Sequence, residues 1–500
     1  MSLQLSVPKA EGPRGPEREP DPAELRAALK ALPADDPIAA ARVLHQRLHA
    51  ANRQRLRVTL RQEIAEIVRA HAEQVLPGIE AILTASSVPL SAAARDAALV
   101  GDELVAELAG SYKLLIVEQA RRLFGLASSG RALLPVVRAM QYLARRLTLG
   151  YRAYATNPKA VWSELHELHH FAGRRALAGR SLPGETATPL STYRTALLVA
   201  FAEPLQLVQG DIDRVLRYLE QYADLARLSP PAQSRTGAGT FLVKPQRDVP
   251  GYARGKRHAP NPHPHDLVLD TQPLAEKLLA QIARLAAGEP FEEVVLPAPR
   301  DEQAFRDLLG RLAKHWGSVP SRRFTRLRTH ARVEVSIGVR GIHDYLEQAP
   351  GAAAVGEWLV TNESPRGFAL LHVGGPVPPI RVGEVVGLRP QGAEACHVCV
   401  VRWVLSDNPE HVELGLEEIA PSARPGSVRS ARGDRSEQPV LLLPEVPSLS
   451  QAPALLAPLA ALEITSELNL GELQSRLRIK ATRLIERTVS AKVVQFSAVA

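Results

Sequence analysis

The hydrophobic period of this chain changes along its length, and that change restricts it to a multidomain α+β architecture. From Pro22 to about Leu228 apolar residues recur at three-and-four spacing, most clearly over Arg57–Val75 and Val100–Leu126, with charged residues between them. That is the signature of amphipathic helices. Asn157-Pro158, Leu182-Pro183-Gly184 and Glu203-Pro204 punctuate the pattern, as expected of breaks between helices. Farther on, Val333-Glu334-Val335-Ser336-Ile337 alternates apolar and polar residues, the period of a half-buried strand. At 500 residues the chain exceeds what one core supports, so several domains are expected.

The reading along the chain gives five segments. Residues 1–22, rich in Pro, Glu and Arg, read as a disordered tail. Residues 23–228 read as an all-α bundle or tetratricopeptide-like array, with no repeat strict enough to choose between them. Residues 229–320 read as a linker and a small α/β bridging region, with strands at Thr240–Val243 and Leu267–Leu269 and helices at Leu274–Leu285 and Glu302–His315. Residues 321–422 read as an antiparallel β-rich domain. Residues 423–500 read as a C-terminal β extension, entered through a polar loop from Ser422 to Gln438.

Two short motifs in the fourth segment carry the functional argument. Arg328-Thr329-His330-Ala331-Arg332 is an R-x-x-x-R that runs into a strand. Asn362-Glu363-Ser364-Pro365-Arg366-Gly367 is an N-x-S-x-x-G turn between the strand-like runs Glu357–Val360 and Phe368–Leu371. A guanidinium donates in pairs to phosphate or to a guanine edge and stacks on a base, which a lysine cannot copy. Asx and hydroxyl side chains stabilise turns, and Gly367 is expected to supply backbone angles closed to other residues. Arg322 and Arg326 offer the same spacing as a second register. Arg332 abuts Val333–Ile337, and the earlier pair leaves a longer gap to Asn362; spacing alone leaves both registers open.

With the strand entry at Val382–Leu388 and the runs Val398–Val404 and Val412–Glu417, these motifs resemble the PilZ family over roughly residues 320–422. The resemblance implies a β-barrel that binds cyclic di-GMP in a bacterial cytoplasm. It implies that Arg328 and Arg332 fold over the ligand and that Asn362 and Ser364 hydrogen-bond a guanine. The family usually has Asp where this chain has Asn362. Asp offers only acceptors, whereas Asn offers one acceptor oxygen and two donors. One departure is the stretch Gly338–Gly356, read as holding a short helix. The expected protein is a non-enzymatic effector that needs no cofactor, takes cyclic di-GMP as ligand and meets a protein partner through the helical region. A PilZ fold that serves as a scaffold without binding the nucleotide is the alternative, and a basic nucleic-acid-associated protein is a third.

Other chemistries find little support. Lys and Arg total 61 against 53 Asp and Glu, a modest excess for the length, and aromatics are 4%, so nucleic acid is an unfavoured partner. Residues 1–8 lack a basic start followed by an apolar run, and no run approaches about 20 apolar residues, so neither a signal peptide nor a membrane span is expected, and the protein is expected to be cytoplasmic. Cys396 and Cys399 fall in a predicted strand, where positions three apart face opposite ways. His166-Glu167-Leu168-His169-His170 matches H-E-x-x-H formally, but its surroundings are polar and no third ligand stands out. The loop with His258, His263, His265 and Asp266 reads as an irregular segment. No metal site is expected.

Overall fold

The computed structural model describes residues 3–10, 19–122, 129–254, 263, 265–295, 301–318, 327–348, 355–393, 395–408, 411–430, 437–445, 452–461, 467–472 and 475–499. The chain divides into two compact units, one of residues 1–86 and 91–321, the other of residues 87–90 and 322–500.

The first unit begins with eight helices among the described residues: α1 (Pro22–Leu29), α2 (Pro37–Asn52), α3 (Val58–Ala85), α4 (Ala92–Arg122), α5 (Ser129–Arg152), α6 (Val161–Arg174), α7 (Pro189–Phe201) and α8 (Asp211–Tyr222). Their ends follow local chemistry. Asp36 caps α2 by accepting the Ala39 N–H, with Pro37 at the first position. Thr188 and Ser191 form a reciprocal cap at α7. α4 packs against α2, α3 and α5, so the helices form a bundle around α4 and not a stacked tetratricopeptide array. The apolar stripe Leu104, Leu108 and Leu115 of α4 is fully buried. Of the tail expected over 1–22, residues 3–10 are extended along this unit, where the Ser6 N–H donates to Glu164 Oε1 at 2.7 Å. That carboxylate also holds Lys113 in a buried pair at 2.8 Å.

The stretch expected to be a linker is part of the same folded body. β1 (Arg227–Ser229), β2 (Thr240–Val243), β3 (Tyr252–Ala253) and β4 (Leu267–Asp270) form a sheet in the order β1-β4-β2-β3. α9 (Gln272–Ala286), α10 (Phe291–Val294) and α11 (Glu302–Gly317) follow. Phe241 stacks on Phe201 at 4.1 Å, and the fully buried Trp316 donates its indole N–H to the Leu198 carbonyl at 3.0 Å. The Pro-Pro punctuation at 230–231 turns the chain without freeing it.

The second unit holds two barrels. β5 (Leu327–Arg328), β6 (Arg332–Ile337), α12 (Gly338–Leu346), β7 (Gly356–Ser364), β8 (Gly367–Gly374), β9 (Val385–Pro390), β10 (His397–Asn408) and β11 (His411–Ala420) make the first. Six strands close in the order β7-β6-β9-β10-β11-β8, with β8 returning to β7 and β5 added to the edge of β7. The second is a closed barrel in the order β12-β13-β14-β17-β16-β15, from β12 (Arg424–Ser430), β13 (Gln438–Leu443), β14 (Ala454–Pro458), β15 (Glu467–Glu472), β16 (Ser475–Arg487) and β17 (Ala491–Ala498). β12 lies where the sequence reads as a polar loop. Its Arg, Gly and Ser residues mask a strand that the ladder with β13 and β15 defines. Val339 and Ile342 of α12 share one core with Val385 and Val398 of the first barrel and Leu441, Leu456 and Val493 of the second. The short helix is therefore the apolar key between barrels, each buried Val, Leu or Ile contributing about 1.5–3 kcal/mol.

Candidate ligand-binding site

Strand pairing brings the two motifs together. Arg328 stands opposite Asn362, and Arg332 stands opposite Leu359. β5 and β6 thus run along the same edge of β7. Directly opposed residues in an antiparallel pair leave the sheet on the same side, so Arg328 and Asn362 share a face. The alternative pair Arg322 and Arg326 lies outside the described residues.

A bulge decides which face this is. Val360 pairs with Leu370 but Asn362 pairs with Ala369, leaving Thr361 as an extra residue. Trp358, Val360, Val333, Val335 and Leu370 are buried inside the barrel. Strict alternation from Trp358 and Val360 would turn Asn362 and Ser364 inward with them. The extra residue turns both outward instead, onto the side that carries Leu359, Arg332 and Arg328.

The motif is less of a loop than its sequence implies. Asn362 and Ser364 end β7, and only Pro365 and Arg366 form the turn before Gly367 opens β8. The Ser364 hydroxyl donates to the Gly367 carbonyl at 3.2 Å, which leaves its lone pairs to accept. Gly367 does not adopt a positive φ, so the expected reason for a glycine here is wrong. A Cβ at this position would run into the Leu416 carbonyl oxygen of β11, and the close approach of two backbones is what requires glycine.

A row of opposed residues crosses the outer face: Arg328, Asn362, Ala369, Gly415 and Trp403 on β5, β7, β8, β11 and β10. Gly415 has no room for a side chain because the Trp403 indole covers it. The strip therefore carries the indole, laid over Gly415, at one end and amide and guanidinium groups at the other. The sequence presents Trp403 only as a strand residue; the glycine opposite it becomes informative once the register is known.

Charge around the strip is balanced by surface pairs. Arg332 Nη1 lies 3.4 Å from Glu357 Oε2, and both side chains are more than 60% exposed. Arg389 pairs with Glu334 at 3.0 Å and its guanidinium sits 4.4 Å from the centroid of the Tyr345 ring. The Tyr345 hydroxyl and then Arg389 hold the Glu334 carboxyl below its usual range. Such exposed pairs are worth about 0–1 kcal/mol, so an anion can take Arg332 from Glu357 at little cost.

The rival motifs are engaged elsewhere. His166 is buried, with Nδ1 2.5 Å from the Tyr193 hydroxyl and Nε2 3.0 Å from the Val249 carbonyl. Burial lowers its pKa to about 4. Both ring nitrogens thus have protein partners, and the H-E-x-x-H pattern does not open a zinc site. Of the loop residues, His265 lies 5.3 Å from His170 of this helix and His263 lies 5.3 Å from His265; His258 lies outside the described residues. Cys396 and Cys399 are both buried and free, and burial pushes their thiols up, Cys396 to about 11.

A six-stranded barrel entered through an arginine hook and carrying an N-x-S-x-x-G hairpin is a PilZ domain. Family models agree along nearly the whole chain: cyclic-di-GMP receptor FimW, N-terminal domain, matches residues 23–233; the middle PilZ domain of that receptor matches 240–351 and 347–425; the FimW C-terminal beta-barrel domain matches 427–499. A relative described as cyclic-di-GMP receptor FimW, from Pseudomonas aeruginosa, is 26% identical over 523 aligned positions, covering 87% of this chain and 84% of that protein. The chain belongs to the FimW family, with its PilZ domain in the middle.

Proposed function

We propose that this protein is a cyclic di-GMP effector that works by binding and not by catalysis, and that the outer strip of the middle barrel is its ligand site. Arg328 and Arg332 take phosphate and a guanine edge, Asn362 and Ser364 hydrogen-bond guanine, and Gly367 lets the hairpin lie close to β11. Trp403 offers a flat apolar face on which a purine can stack, an interaction worth about 1–3 kcal/mol per base. The observation that carries this reading is the Arg328–Asn362 pairing, which sets both motifs on one face. The names of the matched family and relative point the same way.

Binding changes Arg332 from a partner of Glu357 to a partner of phosphate, and the arginine strand with it. A ligand shifts such an equilibrium only through its differential affinity for the two arrangements. The output is then a change in how the barrel couples to the helical region or to a protein that the helical region recruits. Among the described residues no helix is long and apolar enough to cross a membrane. Calorimetric titration of the full chain with cyclic di-GMP, in competition with GTP and with the linear dinucleotide, tests the proposal. Saturable binding that neither competitor displaces at equal concentration is expected. No heat and no displacement of a labelled cyclic dinucleotide would leave the scaffold reading in its place.

A further inference from the structure

α2 and α4 carry a constellation that the ligand site does not use. His45 and His49 are four residues apart on α2 and so share a face. Glu103 and Glu107 repeat that spacing on α4. His49 Nδ1 lies 2.9 Å from Glu107 Oε1, and His45 Nδ1 lies 3.6 Å from Glu103 Oε2. One donor atom from each of His45, His49 and Glu107 falls within 4.8 Å of the others, so small side-chain rotations bring them to one centre. We propose that His45, His49 and Glu107 form a binding site for a borderline divalent transition-metal ion, zinc above all, with Glu103 or water as the fourth ligand.

The support around Glu107 is what such a site needs. The Glu107 side chain is 10% exposed. Asn52, itself buried, donates from Nδ2 to Glu107 Oε2 at 2.7 Å and to the Glu107 carbonyl at 2.9 Å. The Ser111 hydroxyl donates to Asn52 Oδ1 at 2.6 Å and so fixes the amide in turn. Outer groups that orient a ligating carboxylate in this way are a regular part of metal sites. Oε1 is left facing the histidines, where it also accepts from Arg53 Nη1 at 2.8 Å. The Arg53 side chain is 24% exposed, and its Nη1 also donates to the His49 carbonyl at 3.0 Å, so it keeps a partner when the ion takes Oε1. Binding through His49 Nδ1 displaces the hydrogen bond between this nitrogen and Glu107, and the neutral ring then carries its single N–H on Nε2. Two imidazoles and a carboxylate suit zinc and its neighbours better than magnesium or calcium, which prefer all-oxygen sets. The ion would clamp α2 to α4 at the half-exposed edge of their seam, where His49 is 45% and His45 20% exposed.

The test uses the full chain freed of metal with a chelator. Zinc is titrated against a chromogenic chelator of micromolar affinity, and cobalt(II) serves as the spectroscopic probe. The expected result is one zinc per chain, a four-coordinate cobalt d–d band and a raised thermal midpoint that the chelator reverses. His49→Ala and His45→Gln should each weaken zinc about a hundredfold or more, with the midpoint in chelator unchanged. His265→Ala should leave all of this as in the wild type. Zinc uptake that survives His49→Ala but is lost in His265→Ala, or no uptake in competition with the chelator, overturns the proposal.

Discussion

Arg332, Ser364 and Gly367 sit within a few residues of one another on the barrel, yet they are held for different reasons and should respond differently to mutation. Ser364→Ala removes one acceptor and should weaken cyclic di-GMP by about 1 kcal/mol, the net value of a hydrogen bond, with the thermal midpoint unmoved. Gly367→Val should destabilise the barrel by about 1–3 kcal/mol, because its side chain meets the Leu416 carbonyl; an unchanged midpoint would contradict that contact. Asn362→Asp restores the residue more usual in PilZ domains, and calorimetry should find affinity kept or increased. Trp403→Ala should cost about 1–3 kcal/mol of binding if a base stacks there. Ligand affinity and midpoint measured side by side separate these roles.

At the scale of elements, the strands and helices were largely legible because their apolar periods are strong. What the sequence could not disclose is the bulge at Thr361. A period of two from Trp358 and Val360 carries Asn362 and Ser364 into the barrel interior, and only the pairing with Ala369 shows them outside. β12 was hidden for a related reason: Arg424, Gly426 and Ser427 read as a loop until β13 and β15 are seen on either side. Arg328 and Arg332 were visible as a motif, but their nearness to Asn362 depends on long-range pairing that no local pattern encodes. The helical elements carry a pH prediction of their own. His166, His169 and His315 are all lowered to about 4, chiefly by burial. The unfolded chain, with histidines near 6.5, then binds protons before the folded one does. This part of the stability is present above about pH 6.5 and is lost as pH falls towards 4. Thermal midpoints of the helical unit should fall between about pH 7.5 and about pH 5, and His315→Gln should flatten that slope.

For the molecule as a whole, the covalent order of helical region, α/β sheet, PilZ barrel and second barrel matters less than the shared cores. α12 belongs to neither barrel alone: Ile342 is fully buried among residues of both. Ile342→Ala should cost about 2–5 kcal/mol and lower the unfolding midpoint of the two barrels together; a second barrel that melts unchanged would show the core to be divisible. The proposed ligand strip lies on the same barrel that this core anchors, so the rearrangement proposed at Arg332 would have a packed route into the second barrel. The most direct test of that central claim is calorimetric titration of cyclic di-GMP into Arg332→Ala. Loss of a charge-assisted contact of about 1.5–3 kcal/mol predicts affinity one to two decades weaker than wild type, with an unchanged thermal midpoint. Wild-type affinity in Arg332→Ala, with binding lost instead in Arg322→Ala and Arg326→Ala, would contradict the site as drawn.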